Sequence, residues 1–226
     1  MSDLDAHLSG QSTFGHYLLN GEDKCKLFAF DIDLEKNNER TGYVGYYPDE
    51  HGNFVEFDAR ESWRDRRHPA RGWLKLGLMM TAQVLGSVIV KDLEVPCAVA
   101  YSGSKGLHVY GLTGPIPAAD ALEGGRIALD IAGEFEATRG ENFYRTKDQS
   151  PGNPMRNVTI EVFPKQTSLN GKDLGNLMRL PLGVNLRSPK DPTFFVDMSV
   201  GSDAMQPIDT VTALTTNQAW RSLNGR

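Results

Sequence analysis

The chain has 226 residues, with 24 Lys and Arg against 29 Asp and Glu, a formal charge of −5, 39% hydrophobic residues and two cysteines. That length and apolar content support one domain, or two small lobes sharing a core, with no need of disulfide or zinc staples, and exclude a disordered or collagen-like chain. The net negative charge argues against a protein that coats nucleic acid with its whole surface. Cys25 and Cys97 stand far apart with no C-x-x-C or Cys/His clustering. No zinc ribbon or finger is therefore expected, and two isolated thiols suit a reducing, cytoplasmic compartment. The opening MSDLDAHLSGQ lacks a basic and then apolar leader, and no run is read as reaching the roughly 18 apolar residues of a membrane span. The expectation is a soluble protein with no membrane partner.

In chain order, LFAFDID at 27–33 reads as a strand, and YVGYY, the turn DEHGN and NFVEF read as a hairpin over 43–57. Charge is distributed in blocks. Residues 1–58 carry 4 basic and 12 acidic side chains, whereas ARESWRDRRHPARGWLK at 59–75 carries 6 basic and 2 acidic. Residues 73–90 have the length and apolar content of a buried helix. VPCAVAYS at 95–102 and LHVYGL at 107–112 flank a Gly-rich turn and form a strand-turn-strand unit. Pro115 and Pro117 then open a helix predicted across 118–138. A second basic block follows, with 9 Lys and Arg against 4 acids over 139–190. VTIEVF at 158–163 is a strand by its β-branched content, and NLMRLPLGV at 176–184 a short strand ended by Pro181. No repeat or long linker divides the chain. The fold class is α+β, in one domain over 1–226, with approximate lobes at 1–95 and 96–200 and a tail at 201–226.

Within FAFDIDLE, Asp31 and Asp33 lie two residues apart on a strand and share a face. Two ionised carboxylates on one face repel each other unless a cation sits between them, and oxygen-loving Mg²⁺ or Mn²⁺ is the natural one. The alternative is a strand end where both acids reach solvent. In YSGSKGLHVYG, Gly103 and Gly106 permit a tight backbone path, and Ser102, Ser104, Lys105 and His108 add donors and charge suited to a phosphate. This is neither a Walker A loop nor a dinucleotide fingerprint. A plain hairpin turn explains the glycines but not His108 within an apolar strand. Glu161 lies mid-strand in VTIEVF and Arg179 among apolar residues in NLMRLPLG; the two are either a structural salt bridge or a carboxylate and a guanidinium kept for a ligand.

Taken in order, D-I-D, S-G-S-K-G-L-H-V, the strand acid and R-L-P-L-G resemble the archaeo-eukaryotic primase superfamily, the primase-polymerases, across roughly residues 25–188. The second motif is nearly identical to that of the polymerase domains of bacterial end-joining ligases. LFAFDID, EVFPKQ and GNLMRLPLG together look closer to primase-polymerases of phages, plasmids and related bacterial mobile elements. The resemblance implies a catalytic core with an RRM-like sheet and a second α/β lobe around a cleft. It further implies a nucleotidyltransferase that takes NTPs or dNTPs and works on single-stranded or primed DNA in replication or repair, in some relatives beside a helicase domain or protein. By resemblance, Asp31, Asp33 and Glu161 hold two divalent ions, Mg²⁺ or Mn²⁺. Ser102, Ser104, Lys105 and His108 bind the triphosphate, and Arg179 contacts the incoming nucleotide's phosphates. Many primases also carry a zinc module, for which two cysteines offer no counterpart.

An acidic metal site repels DNA, so a basic surface must hold the template. Arg64, Arg66, Arg67 and Arg71, with Arg60 and Lys75, are the first candidates, with Trp63, Tyr46 and Tyr47 available to stack on bases. The competing functions are an inactive nucleotide- or nucleic-acid-binding module of the same fold, a metal-dependent nuclease and a D-x-D glycosyltransferase. The triphosphate cradle separates polymerisation from strand hydrolysis.

Overall fold

The computed structural model describes residues 2–39, 42–171, 174–186, 192–200 and 205–215. The short helix α1 (Asp3–Leu8) starts in a capping box, where the Ser2 and Asp5 side chains each accept from the other's backbone N–H. There follow β1 (Gly15–Tyr17), the long β2 (Lys24–Leu34) and a hairpin of β3 (Gly45–Pro48) and β4 (Phe54–Phe57). Next come α2 (Ala59–Arg64), α3 (Arg71–Lys91), β5 (Cys97–Tyr101), β6 (Gly106–Pro117) and α4 (Ala118–Ala132). The chain continues through β7 (Phe135–Ala137), β8 (Phe143–Thr146), a 3₁₀ turn at Pro154–Asn157, β9 (Val158–Phe163), β10 (Leu177–Arg179), β11 (Phe194–Val196), β12 (Pro207–Ile208) and α5 (Thr210–Thr215).

Eight strands form one sheet in the order β12-β11-β5-β6-β2-β9-β8-β7, every neighbouring pair antiparallel. Antiparallel pairing throughout makes this an α+β fold. β2 from residues 1–95 is inserted between β6 and β9 from residues 96–200, so both stretches share one sheet. The alternation in β2 sorts its side chains. Phe28, Phe30, Ile32 and Leu34 are fully or almost fully buried, while Asp31 and Asp33 on the other face stay partly open. α3 and α4 cover the Phe28 face, where Phe28 and Phe30 meet edge to face at 6.1 Å.

Three features differ from the sequence reading. The predicted helix at 118–138 stops at Ala132, because Gly133 takes a left-handed φ of 66° and caps it, and Phe135 enters β7. Pro115 belongs to β6, which runs on to Pro117; β5 stops pairing at Gly111, so both prolines lie where β6 has lost its neighbour on that side and their missing N–H groups break no ladder. Finally, α3 is 21 residues long with a window of mean hydropathy 1.5, enough by length and composition to cross a bilayer, against the expectation that no segment is. In the fold that apolarity serves the core: Leu74, Leu78, Met79, Leu85 and Ile89 are fully buried among the helix's contacts with the sheet and the 3₁₀ turn.

The contact between α3 and the 3₁₀ turn has a decisive position. A Cβ on Gly77 would lie 2.4 Å from the Pro154 carbonyl oxygen. Glycine to alanine within a helix is normally favourable by about 1 kcal/mol. Here the forced separation costs about 1–3 kcal/mol, and the backbone it meets has little freedom to give. Gly77→Ala is expected to lower the urea midpoint at unchanged m-value; a raised midpoint would show that helix and turn part easily.

Candidate active site

The registers of β2 assemble the site. Asp31 is paired with His108 on β6 and with Glu161 on β9, and Asp33 with Gly106 and Thr159. Partners in an antiparallel ladder point to the same face, so His108, Asp31 and Glu161 form a row across three strands, with Asp33 one step along. This is the face that α3 and α4 leave uncovered. Above it opens a cleft of about 540 Å³, within the size range of small-molecule sites.

Asp31, Asp33, Ser102, Ser104, Lys105, His108 and Arg179 all line this cleft. Glu161 faces the same side but is not among the lining residues, is 39% exposed and has its carboxylate on Lys165 Nζ at 2.7 Å. A direct Glu161–Arg179 salt bridge, one of the two sequence alternatives, is not formed; Arg179 donates to the Ser102 carbonyl at 2.8 Å. Lys105 donates to the Asp33 carboxylate, and His108 Nε2 stands 3.5 Å from Asp31 Oδ1. Each of the three carboxylates thus faces a basic side chain. As placed, no group of three His, Cys, Asp or Glu side chains among the described residues is gathered around a common point for a metal.

The loop between β5 and β6 is shaped by its glycines. Gly103 has a φ of 74°, and Ser102 N–H closes the turn on the Gly106 carbonyl at 3.0 Å. A Cβ on Gly106 would fall 2.2 Å from the Ile32 carbonyl oxygen and 2.5 Å from Asp33 Oδ1, so only glycine leaves room for the Asp33 side chain. The Ser104 carbonyl accepts from the Tyr101 hydroxyl at 2.7 Å and from the Trp63 indole N–H. His108 is 8% exposed, with Nδ1 3.0 Å from the Tyr110 hydroxyl. Burial holds the imidazole below its usual pKa against the pull of Asp31, so it is neutral near pH 7. Burial also lowers the Lys105 ammonium, while Asp31 and Glu161 act to raise it.

Most of the first basic block lines this cleft, and Lys75 does not. Arg60, Arg64, Arg66 and Arg71 line it, and Arg67 does not. Trp63, expected to be available for stacking on bases, is 5% exposed, and Arg71 stacks over its ring at 4.3 Å. Tyr46 carries the Arg156 guanidinium 4.8 Å above its ring, and Tyr47 packs on Phe57 at 5.2 Å. Composition marked these aromatics without marking their environment. Of the second block, Arg139, Arg145 and Arg156 surround Tyr43 in a smaller cleft, and the buried Glu35 carboxylate takes Arg145 at 2.8 Å. Lys172, Arg187 and Lys190 lie outside the described residues. Sequence reasoning missed the contributions of Phe163 and Asn185 to the cleft, and of Lys165 as partner of Glu161. Lys165 is the one with a signal, four residues after the strand acid.

β10 brings Arg179 to the cleft through a non-local lock. β1 pairs with β10, Gly15 opposite Arg179. The buried His7 imidazole accepts from Phe14 N–H at 3.2 Å and therefore donates through Nε2 to the Pro181 carbonyl at 3.1 Å. Gly183 lies flat against that ring, where a Cβ would meet it at 2.2 Å.

The model of one protein family, the archaeo-eukaryotic primase domain of TOTE conflict systems, matches residues 1–220. A search of curated proteins gave no match.

The lock makes R-L-P-L-G a packing motif as well as the carrier of Arg179. Gly183→Ala must push the His7 ring off the turn. Faster hydrogen exchange is expected at the Phe14 and Leu180 amides, whose acceptors are His7 and Phe14, with core amides of β2 unchanged. Unchanged exchange at both amides would show that His7 does not hold the segment.

Proposed function

The chain belongs to the archaeo-eukaryotic primase family, and on that premise we propose that it is a nucleotidyltransferase acting on DNA. It binds an NTP or dNTP and transfers the nucleotide to a 3′-hydroxyl paired to a template strand, releasing pyrophosphate, as a primase or as a polymerase. The observation that carries this reading is the meeting, in one cleft, of two strand carboxylates with a glycine-shaped loop, a lysine, a buried histidine and a fixed arginine. A nuclease needs the carboxylates but not the phosphate cradle.

The donor set fits hard divalent cations. Asp31, Asp33 and Glu161 offer oxygen alone, which suits Mg²⁺ or Mn²⁺ and does not suit zinc in a structural site. These three would hold the ions, displacing the Lys105 and Lys165 ammoniums that now face Asp33 and Glu161. Bound there, divalent ions lower the pKa of the attacking hydroxyl and offset charge on the leaving pyrophosphate.

The protein's own part is alignment and charge. Lys105, released from Asp33, can turn to the triphosphate within the same cleft. Arg179, steadied by the Ser102 carbonyl, offers its guanidinium to phosphate oxygens. Nε2 faces the Asp31 carboxylate, which can only accept, and this favours the His108 proton on Nε2, with Nδ1 then accepting from the Tyr110 hydroxyl. It donates there as a neutral group. In the transfer the new bond joins the 3′-oxygen to the α-phosphorus as the bond to the bridging oxygen of the pyrophosphate breaks, and the hydroxyl proton passes to solvent.

The test is incubation of the purified chain with primed and unprimed single-stranded DNA, labelled NTPs or dNTPs, and Mg²⁺ or Mn²⁺. Elongated primers are expected with metal and none with EDTA; short products without a primer would establish priming. Asp31→Ala with Asp33→Ala is expected to reduce extension by about 10³-fold, since metal stabilisation amounts to several kcal/mol. It should also remove the rise in melting temperature that Mn²⁺ gives the unaltered protein. Extension near the unaltered rate in the double variant would sink the assignment.

A further inference from the structure

We propose that the α2 segment is a wall of the triphosphate site: Arg64 and Arg66 bind the outer phosphates of the incoming nucleotide, and Trp63 is the positioning residue that fixes them to the phosphate loop. This rests on reading the cleft as a nucleotide site and assigns the first basic block to that nucleotide instead of to the template.

The attachment is physical. Trp63 is buried, and its indole N–H donates to the Ser104 carbonyl, within the loop itself. The Tyr101 hydroxyl donates to the same oxygen at 2.7 Å. Two donors hold this carbonyl away from any anion in the cleft, whose phosphates would otherwise meet a partial negative charge. Arg71 clamps the other side of Trp63, stacking on the ring at 4.3 Å and donating to the Trp63 carbonyl. Arg64 and Arg66, directly after Trp63 in the chain, are therefore placed by the loop that binds phosphate.

Charge in the cleft needs such an occupant. Arg60, Arg64, Arg66, Arg71, Lys105 and Arg179 line it against the carboxylates of Asp31 and Asp33, in a chain whose overall charge is −5. Arg64 and Arg66 are exposed members of the cleft lining, next in the chain to Trp63 and its bond to the Ser104 carbonyl. Their direction selects the ligand. In-line transfer places the leaving pyrophosphate opposite the attacking strand across the α-phosphate. The loop leads into β6 on one side of β2, and Glu161 stands on β9 on the other; with α2 fixed to the loop, we take the loop side as the pyrophosphate side. Guanidiniums on the loop side meet the β- and γ-phosphates.

The experiment compares a nucleoside triphosphate with its monophosphate by equilibrium binding, and titrates oligo(dT) binding against salt, for the unaltered chain, Arg64→Gln with Arg66→Gln, and Trp63→Phe. Loss of two charge-assisted contacts is expected to weaken triphosphate binding by about 10- to 100-fold. Monophosphate affinity and the oligo(dT) salt slope should stay unchanged. Trp63→Phe keeps the ring and removes the N–H; it should reproduce part of the triphosphate loss at unchanged far-UV circular dichroism, and should it misfold, the exposed arginine pair still decides. A shallower oligo(dT) slope with intact triphosphate affinity would overturn the proposal and make the segment a DNA track. Equal losses for mono- and triphosphate would overturn it too, because a general disturbance of the cleft does not depend on phosphate number. If the unaltered chain binds triphosphate yet makes no product, the polymerase reading fails while this assignment is still tested by the same titrations.

Discussion

A slip of one residue in the pairing of β2 would carry Asp31 and Asp33 under α3 and α4 and turn Phe30 and Ile32 out into the cleft. The register is held from both sides, since β6 and β9 pair with the same stretch of β2 and the Phe28 ring lies across Gly111, where a Cβ would stand 2.3 Å from it. The same apolar alternation that builds the core therefore places His108 and Glu161 on either side of Asp31. Packing on one face and chemistry on the other are two consequences of a single alignment. Changes to Phe28, Gly111 or the α4 glycines reach the site through this register, even though none of them touches the cleft.

The electrostatics follow from that placement. Carboxylates crowded on one face need cations, and the fold supplies ammoniums from two neighbouring positions: Lys105 from the loop for Asp33, and Lys165 four residues along from Glu161. Each pair is only partly desolvated, with side-chain exposures between 24% and 39%, so neither lysine is locked in place by burial. A pair of this kind can open when a stronger cation arrives, and Lys105 is then free beside the loop where an anion would bind. By contrast, the Glu35–Arg145 pair is 6% and 11% exposed and is part of the structure. Exposure separates the Asp33 and Glu161 carboxylates, available for exchange, from that of Glu35, which follows directly after β2 and is not.

How much of this was legible in the sequence depended on the distance over which each signal acts. The β2 and β9 strands, the hairpin, α3 and the loop at 102–105 follow from alternation, apolar length and glycine placement, all local. The identity of the face was legible too, because residues 31 and 33 share it by period alone. The extent of β6 past Pro115 was not, since it depends on where β5 stops pairing, and the end of α4 turned on one glycine in an otherwise helical composition. Trp63 shows the limit clearly: a tryptophan among arginines reads as a stacking platform, and whether its ring is exposed depends on Ser104, 41 positions away. The β1–β10 pairing and the His7 lock join the first residues to those around 180, a contact no window of sequence contains.

The net charge acquires its meaning only at this scale. A chain at −5 has no long-range attraction for polyphosphate, so steering by the whole-protein field cannot account for nucleotide or DNA capture. On the proposed reading capture is local, in a cleft whose lining is cationic although the protein is not. Local capture by guanidiniums favours the ligand with the most charge in the least volume, which is a triphosphate more than a phosphodiester strand. A nucleic-acid strand spreads its charge over many nucleotides and needs an extended basic path, whereas four arginines of the first basic block are gathered on one cleft. The arginines around Tyr43 are partly consumed by Glu35 and by backbone carbonyls, Arg156 donating to the Val44 carbonyl at 3.0 Å. On the proposed reading, a core of this kind would hold its nucleotide more firmly than its strand, and the carboxylate row would attract the strand's 3′ end only once divalent cations had reversed its sign.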